Sequence, residues 1–156
     1  MDEKIIIRKA VAEECFIVGR MWKSLMNEAG NYPVEIDDKV VQNFSISLLP
    51  KILRDDGEVF IAEHDYKIIG FITTNLRVYD YCSLIYGYCE SVYVDPNFRT
   101  FLAGKKLIDI AFEWMKDRGA KVAAFDTIYD EKLVKKWDSM GYKAQTIGFS
   151  KEIKYG

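Results

Sequence analysis

Tyr93-Val94-Asp95-Pro96-Asn97-Phe98-Arg99-Thr100-Phe101-Leu102-Ala103-Gly104-Lys105-Lys106-Leu107 follows an apolar, β-branched run and precedes apolar residues at helical spacing: Leu107, Ile108, Ala111, Phe112 and Met115. It reads as a strand, a short loop and a helix start. A helix start leaves four backbone N–H groups without intrahelical partners, and the helix dipole adds partial positive charge there. Together these make an anion site, most often for phosphate. Lys105 and Lys106 fall in the first turn, where each cation opposes the dipole by about 0.3–1 kcal/mol, and Arg99 lies just upstream. Either an anion joins these basic residues, or they are solvated and their cost is tolerated.

Two phosphate motifs are excluded. A P-loop needs Ser or Thr after Gly-Lys, and here Lys106 follows Gly104-Lys105. The dinucleotide fingerprint Gly-x-Gly-x-x-Gly does not occur.

The same stretch resembles the acetyl-CoA-binding segment of the GNAT acyltransferases, whose pattern is Arg/Gln-x-x-Gly-x-Gly/Ala after a strand ending in Val-x-Pro. Val94-Asp95-Pro96 precedes Arg99-Thr100-Phe101-Leu102-Ala103-Gly104, so the Arg and the final Gly match while Leu102 replaces the central Gly. That glycine lets backbone N–H groups approach a pyrophosphate closely.

The chain has 156 residues, enough for one domain with a sizeable core, and 49% hydrophobic with 29% charged residues is ordinary for a soluble globular protein. Its apolar runs are too short to span a bilayer. The start, Met-Asp-Glu-Lys, lacks an apolar secretion region, so a cytoplasmic location is expected. A net charge of −2 argues against a general nucleic-acid binder. Cys15, Cys82 and Cys89 have no metal-ligand spacing, and a single His, His64, makes a zinc site or a His-dependent hydrolase a poor fit. Cys89 reads as a small core residue rather than a nucleophile.

In chain order, Ile5–Arg8 reads as a strand. A helix opened by Glu13 and Glu14 carries the stripe Ile17, Val18, Met21, Trp22, Leu25 and Met26, and ends at Gly30-Asn31-Tyr32-Pro33. Asp37-Asp38 opens a second helix, which Pro50 breaks or restarts. Val59–Ala62 and Ile68–Val78 form a hairpin, with Gly70 marking a bulge or close packing. Tyr79, Tyr81, Tyr86 and Tyr88 crowd the next loop and strand start, either as pocket lining or as edge packing. Strand four runs over Tyr88–Val94, and period two puts Tyr88, Glu90, Val92 and Val94 on one face. The anchor helix ends near Arg118-Gly119. Lys121–Asp126 is a fifth strand, Asp130 caps a further helix, and Tyr142–Ile153 is a last strand.

The resulting β-α-α-β-β-β-α-β-α-β order is an α+β class. It resembles the GNAT order over nearly the whole chain, and Trp137-Asp138-Ser139-Met140-Gly141-Tyr142 is similar to that family's Tyr-x-x-x-Gly-Phe ending. The resemblance implies a single acetyltransferase domain over residues 1–156. It implies a mixed central sheet of about six strands, flanked by about four helices on both faces. It also implies acetyl-CoA as cosubstrate, with direct transfer to an amine in a ternary complex, and no metal. Val92, Tyr93, Val94, Arg99, Thr100, Phe101, Leu102, Ala103, Gly104, Lys105 and Trp137 are the expected acetyl-CoA contacts, and Glu90 is the candidate general base. An oxyanion donor is expected in the strand-four backbone around Val92. The family often has a Tyr acid where Trp137 stands; Tyr129 and Tyr142 are the substitutes available, and Trp137 is expected to pack instead. The expected partner is an amine-bearing acceptor, small molecule or peptide, without nucleic acid or membrane, and homodimerisation is carried over as an expectation. The alternative is a non-catalytic member, an acyl-CoA-binding or protein-interaction module, which both departures, Leu102 and Trp137, would fit.

Overall fold

The structure, a computed structural model, describes residues 4–30, 35–127 and 130–156. Strand β1 (Ile6–Lys9) leads through a short 3-10 turn to helix α1 (Cys15–Ala29). Helices α2 (Asp38–Ser47) and α3 (Leu49–Leu53) follow, then strands β2 (Glu58–His64), β3 (Lys67–Tyr79) and β4 (Leu84–Val94). A 3-10 helix (Pro96–Phe101) leads into α4 (Ala103–Asp117), β5 (Val122–Phe125) and α5 (Glu131–Ser139).

Local chemistry explains most boundaries. The Asp37 carboxylate accepts from Val40 N–H at 2.9 Å and starts α2. Pro50, which has no N–H to donate, sits in the first turn of α3, where the helical path restarts. Asp65 and Tyr66 both have positive φ (47° and 62°), as a tight two-residue β2–β3 hairpin requires. The Asp130 carboxylate accepts from Lys132 and Leu133 N–H and caps α5.

One five-stranded sheet, in the order β1-β2-β3-β4-β5, organises these elements. The first three pairings are antiparallel and β4–β5 is parallel, so the sheet is mixed. Alternation along the strands divides the core in two. One cluster joins Phe60, Ile72, Cys89 and Val94 to Leu107, Ala111 and Met115 of α4. The other joins Val59, Ile61, Phe71 and Tyr93 to Val18 and Leu48. Trp22 of α1 stacks on Phe44 of α2 at 4.2 Å, and Gly19 lets α2 approach so closely that a Cβ there would overlap Ser45.

Three sequence expectations change. The expected sixth strand, Tyr142–Ile153, does not form, so the sheet has five strands rather than six. Tyr142 packs its ring 5.2 Å from that of Phe125, the last residue of β5. A strand returning from there along β5 would use only Lys143–Thr146 against four residues, leaving Ile147 and Phe149 past the end of the edge. Ile147, Phe149, Ile153 and Tyr155 are instead exposed. Strand four is longer than expected, and Tyr86 lies within it rather than in the preceding loop. Its face assignment also changes, for a reason given below. Gly70 does mark a bulge and close packing: β3 carries an extra residue, Ile69, against the Ala62–Glu63 step of β2, and a Cβ on Gly70 would lie 2.6 Å from Tyr93 O. No helix among the described residues is long and apolar enough to cross a membrane.

Candidate active site

Strands β4 and β5 run together and then part. Their pairs run from Tyr86 with Val122 to Cys89 with Phe125, and the Asp126 N–H still reaches Cys89 O at 3.2 Å. From Glu90 to Val94, β4 continues with β3 alone as its partner. Beyond the last β4–β5 pair the second edge of β4, at Val92 and Val94, has no strand partner among the described residues, so an extended ligand could meet strand backbone there.

Glu90 stands at the start of the opening because of a β-bulge. Thr73 pairs with Ser91 and Thr74 with Cys89, so Glu90 is the extra residue on β4. A bulge turns its residue away from the regular alternation and reverses which residues share a face beyond it. Tyr88, Glu90, Val92 and Val94 thus do not form one face. Cys89 and, past the bulge, Val92 and Val94 pack in the α4 cluster, while Tyr93 packs with the α1 cluster.

The Glu90 carboxylate is held rather than free. Its Oε1 accepts from Asn75 Nδ2 at 3.3 Å and from Arg77 Nη2 at 3.2 Å. The Arg77 guanidinium also lies over the Tyr88 ring, 3.8 Å from its centroid. The Tyr88 hydroxyl donates to Asp126 Oδ2. Burial, followed by that carboxylate, pushes the Tyr88 phenol up to about 12, so it remains neutral. Asn75, Arg77 and Asp126 were not singled out from sequence. The available signal was weak: Asn75 and Arg77 are polar residues at period two in a long strand, and Asp126 ends an apolar run.

At the other end of the opening, α4 begins without a side-chain cap. Among the described residues the first i→i−4 bond at this helix start is Lys106 N–H to Leu102 O, and the N–H groups of Ala103, Gly104 and Lys105 have no partner there. Leu102 adopts φ 59°, ψ 15°, the left-handed conformation that a glycine takes readily. The backbone path does not need glycine there, although leucine carries strain. A Cβ on Gly104 would meet only Val94, at 3.7 Å, so its missing side chain leaves open space at the helix start.

The basic residues divide their roles. Arg99 donates through Nε to Val94 O at 3.0 Å and pairs with Glu28 of α1, fixing the loop to its surroundings. Lys105 pairs with Asp109 at 2.6 Å. Lys106 is exposed and has no ion-pair partner among the described residues. Thr100 and Phe101 lie in the 3-10 helix, and their side chains are outside the described part of the structure.

Trp137 is a packing residue. Its ring lies 5.2 Å from Phe125 and 5.1 Å from Tyr142, in the cluster that closes α5 onto the sheet. Burial pushes the Tyr142 phenol up to about 12. Tyr129 lies outside the described residues. Cys89 is buried, and burial pushes its thiol up to about 12, which suits a core residue and not a nucleophile. Tyr79 packs with Tyr81 and Tyr86 at centroid distances of 5.4 and 5.5 Å. Among the described residues no group of His, Cys, Asp and Glu could hold a metal ion.

The fold has counterparts among known proteins. A GCN5-related N-acetyltransferase from Ralstonia eutropha JMP134 superposes with a TM-score of 0.77 at 21% identity, over 96% of this chain and 99% of its own. A predicted acetyltransferase from Clostridium acetobutylicum, solved with acetyl-CoA, gives 0.77 at 14% identity, over 96% of each chain. An aminoglycoside acetyltransferase from an uncultured soil metagenomic sample gives 0.70 at 20% identity, over 96% of this chain and 97% of its own. At these identities the likeness establishes the fold. No curated protein matched the sequence. The model of the acetyltransferase (GNAT) family matches residues 20–142, and the chain belongs to that family.

Proposed function

We propose that residues 1–156 form a single acetyl-CoA-dependent N-acetyltransferase domain that moves an acetyl group directly from the thioester to an amine in a ternary complex. The observation that carries this reading is the parting of β4 and β5 at Glu90, with the uncapped start of α4 at the far end of the same opening. Family membership and the acetyl-CoA named for one structural neighbour support the choice of cosubstrate.

The residues fit that cosubstrate. The edge of β4 at Val92 and Val94, where Arg99 already holds the Val94 carbonyl, can pair with the amide groups of pantetheine. The N–H groups of Ala103, Gly104 and Lys105, with Lys106 alongside, can receive the pyrophosphate. Arg99 acts by holding the loop, and Trp137 by packing α5 behind β5.

Transfer requires a neutral amine. An alkyl ammonium with pKa of roughly 10.4 is about a thousandth neutral near pH 7.4, a handicap of about 4 kcal/mol. Glu90, held at the bulge by Asn75 and Arg77, takes the proton through a water. A base of this kind contributes about 10²–10⁴ in rate. The amine nitrogen then forms its bond to the acetyl carbon as the carbon–sulfur bond breaks. Backbone N–H groups of β4 near Val92 face the oxygen on which charge develops. The leaving thiol, with pKa of roughly 8.5, needs little help from an acid.

Calorimetric titration with acetyl-CoA and desulfo-CoA, followed by thiol release over an amine panel, tests the reading. Saturable binding and amine-dependent thiol release are expected. Binding without release on any amine would establish the non-catalytic alternative, and no binding at millimolar ligand would overturn both.

A further inference from the structure

Glu90 is held by one of its two oxygens. Oε1 accepts from Asn75 Nδ2 at 3.3 Å and from Arg77 Nη2 at 3.2 Å. Oε2 accepts from no group among the described residues. A carboxylate fixed in this way has one oxygen occupied by two donors and one left for water.

The ring of Tyr88 keeps Arg77 in place. Asn75 and Arg77 stand two residues apart on β3, opposite Tyr88 and Tyr86 of β4. Arg77 therefore reaches diagonally across the ladder, and its guanidinium lies 3.8 Å from the centroid of the Tyr88 ring. The ring is itself fixed at its far end, where the hydroxyl donates to Asp126 Oδ2 just past β5. A solvated arginine samples many rotamers. A planar guanidinium laid on a ring and directed at a carboxylate has lost most of that freedom before any reaction begins.

Magnitudes separate this arrangement from an ordinary surface pair. The Arg77 and Glu90 side chains are both 49% exposed, and pairs so exposed contribute little to stability. Placement of a reacting group is another matter, since an error of about 1 Å costs about a hundredfold in rate.

We propose that Tyr88 and Arg77 are positioning residues that brace Glu90 through Oε1, so that Oε2 is the atom that receives the proton. The proton leaves the attacking amine for a water, that water gives one of its own to Oε2, and the neutral acid later returns it to solvent. The assignment rests on the acetyltransferase reading with Glu90 as base, and deepens it by naming what holds that base and which oxygen it uses.

The test follows thiol release from acetyl-CoA with the fastest acceptor among butylamine, glucosamine and a lysine-bearing peptide. Arg77→Met should lower kcat about tenfold or more and leave KM for acetyl-CoA within about twofold, because the base acts in the transition state. Its melting temperature should shift by no more than about 2–4 °C, the scale of an exposed pair. Tyr88→Leu should lower kcat by a similar factor, and Tyr88→Phe, which keeps the ring, by less. In a Glu90→Gln background Arg77→Met should cost less than about twofold more, because a residue that acts only through the base has nothing left to position. A loss of equal size in both backgrounds overturns the positioning role and leaves the transfer reading standing. Wild-type kcat in Arg77→Met or in Tyr88→Leu does the same. Full activity in Glu90→Gln removes the base together with its brace, while amine-dependent thiol release still stands. No release from bound acetyl-CoA with any of the three amines removes the transfer reading, and the brace with it.

Discussion

Arg99 donates to both carboxylate oxygens of Glu28, 71 residues earlier in the chain, at 2.9 and 2.7 Å. The same guanidinium holds Val94 O through Nε, so one side chain ties the end of β4, the loop before α4 and the last turn of α1 together. Its charge is thereby committed to a carboxylate instead of directed at the helix start.

This pairing separates two roles for Arg99. If it positions the loop, Glu28→Gln and Arg99→Ala should both weaken CoA binding, each by several-fold, in calorimetric titration. If Arg99 were instead released to meet a phosphate, Glu28→Gln would strengthen binding. We expect weakening in both variants.

Leu102 is a second point of leverage. A non-glycine residue in the left-handed region costs about 1–2 kcal/mol. Glycine removes that cost but gives back about 0.5–1 kcal/mol in backbone entropy. Leu102 is 65% exposed, so its replacement sacrifices little burial. Leu102→Gly should therefore raise the melting temperature by about 2–4 °C, given the size scaling for about 1 kcal/mol. A drop in scanning calorimetry would mean that the leucine side chain contributes packing that outweighs its backbone strain.

Two glycines should respond unequally to alanine. At Gly70 the new Cβ would lie 2.6 Å from Tyr93 O, a backbone atom fixed in the β3–β4 ladder. At Gly87 it would meet Cγ, Sδ and Cβ of buried Met115 at 2.5–2.8 Å, a side chain whose outer atoms can turn although its Cβ moves only with the helix. Gly70→Ala should cost about 1–3 kcal/mol in chemical denaturation and Gly87→Ala less, since overpacking is expensive where the neighbour cannot move. The reverse order would show that the α4 core is the more rigid of the two sites.

Arg8 sets an acid dependence. It donates to Glu14 Oε1 and Oε2 at 2.9 and 2.8 Å and to Glu63 Oε2 at 2.9 Å. The Arg8 hydrogen bonds hold the Glu14 carboxyl below its usual 4.5, and the Val11 N–H adds to this against the cost of burial. A folded-state value below the unfolded one contributes stability that is complete above the unfolded value and lost as pH falls through the folded one. Glu14→Gln should therefore melt below the wild type near neutral pH, and the gap should close as pH is lowered below about 4.5. A gap constant with pH would mean that the contact is packing and not charge.

Much of the fold is legible because its signals are local. Helical spacing after Leu107, the Asp37 and Asp130 caps, and the turn at Asp65-Tyr66 each depend on neighbours within a few residues. The anchor stretch was readable for the same reason: a strand, a turn and an uncapped helix start are all written within 93–107.

What the sequence determined by itself was the order of elements through α5 and the helix start that offers backbone N–H groups. Tertiary structure alone decided the rest. The bulge at Glu90 exists only as a mismatch in register between β3 and β4, and a period-two pattern cannot contain it. The pairing of Arg77 with Glu90, of Tyr88 with Asp126 and of Arg99 with Glu28 joins residues far apart in the chain, whose proximity follows from strand order and helix docking. The tail beyond Tyr142 has the alternation of a strand, but a strand also needs an edge to pair with, and β5 offers only four residues.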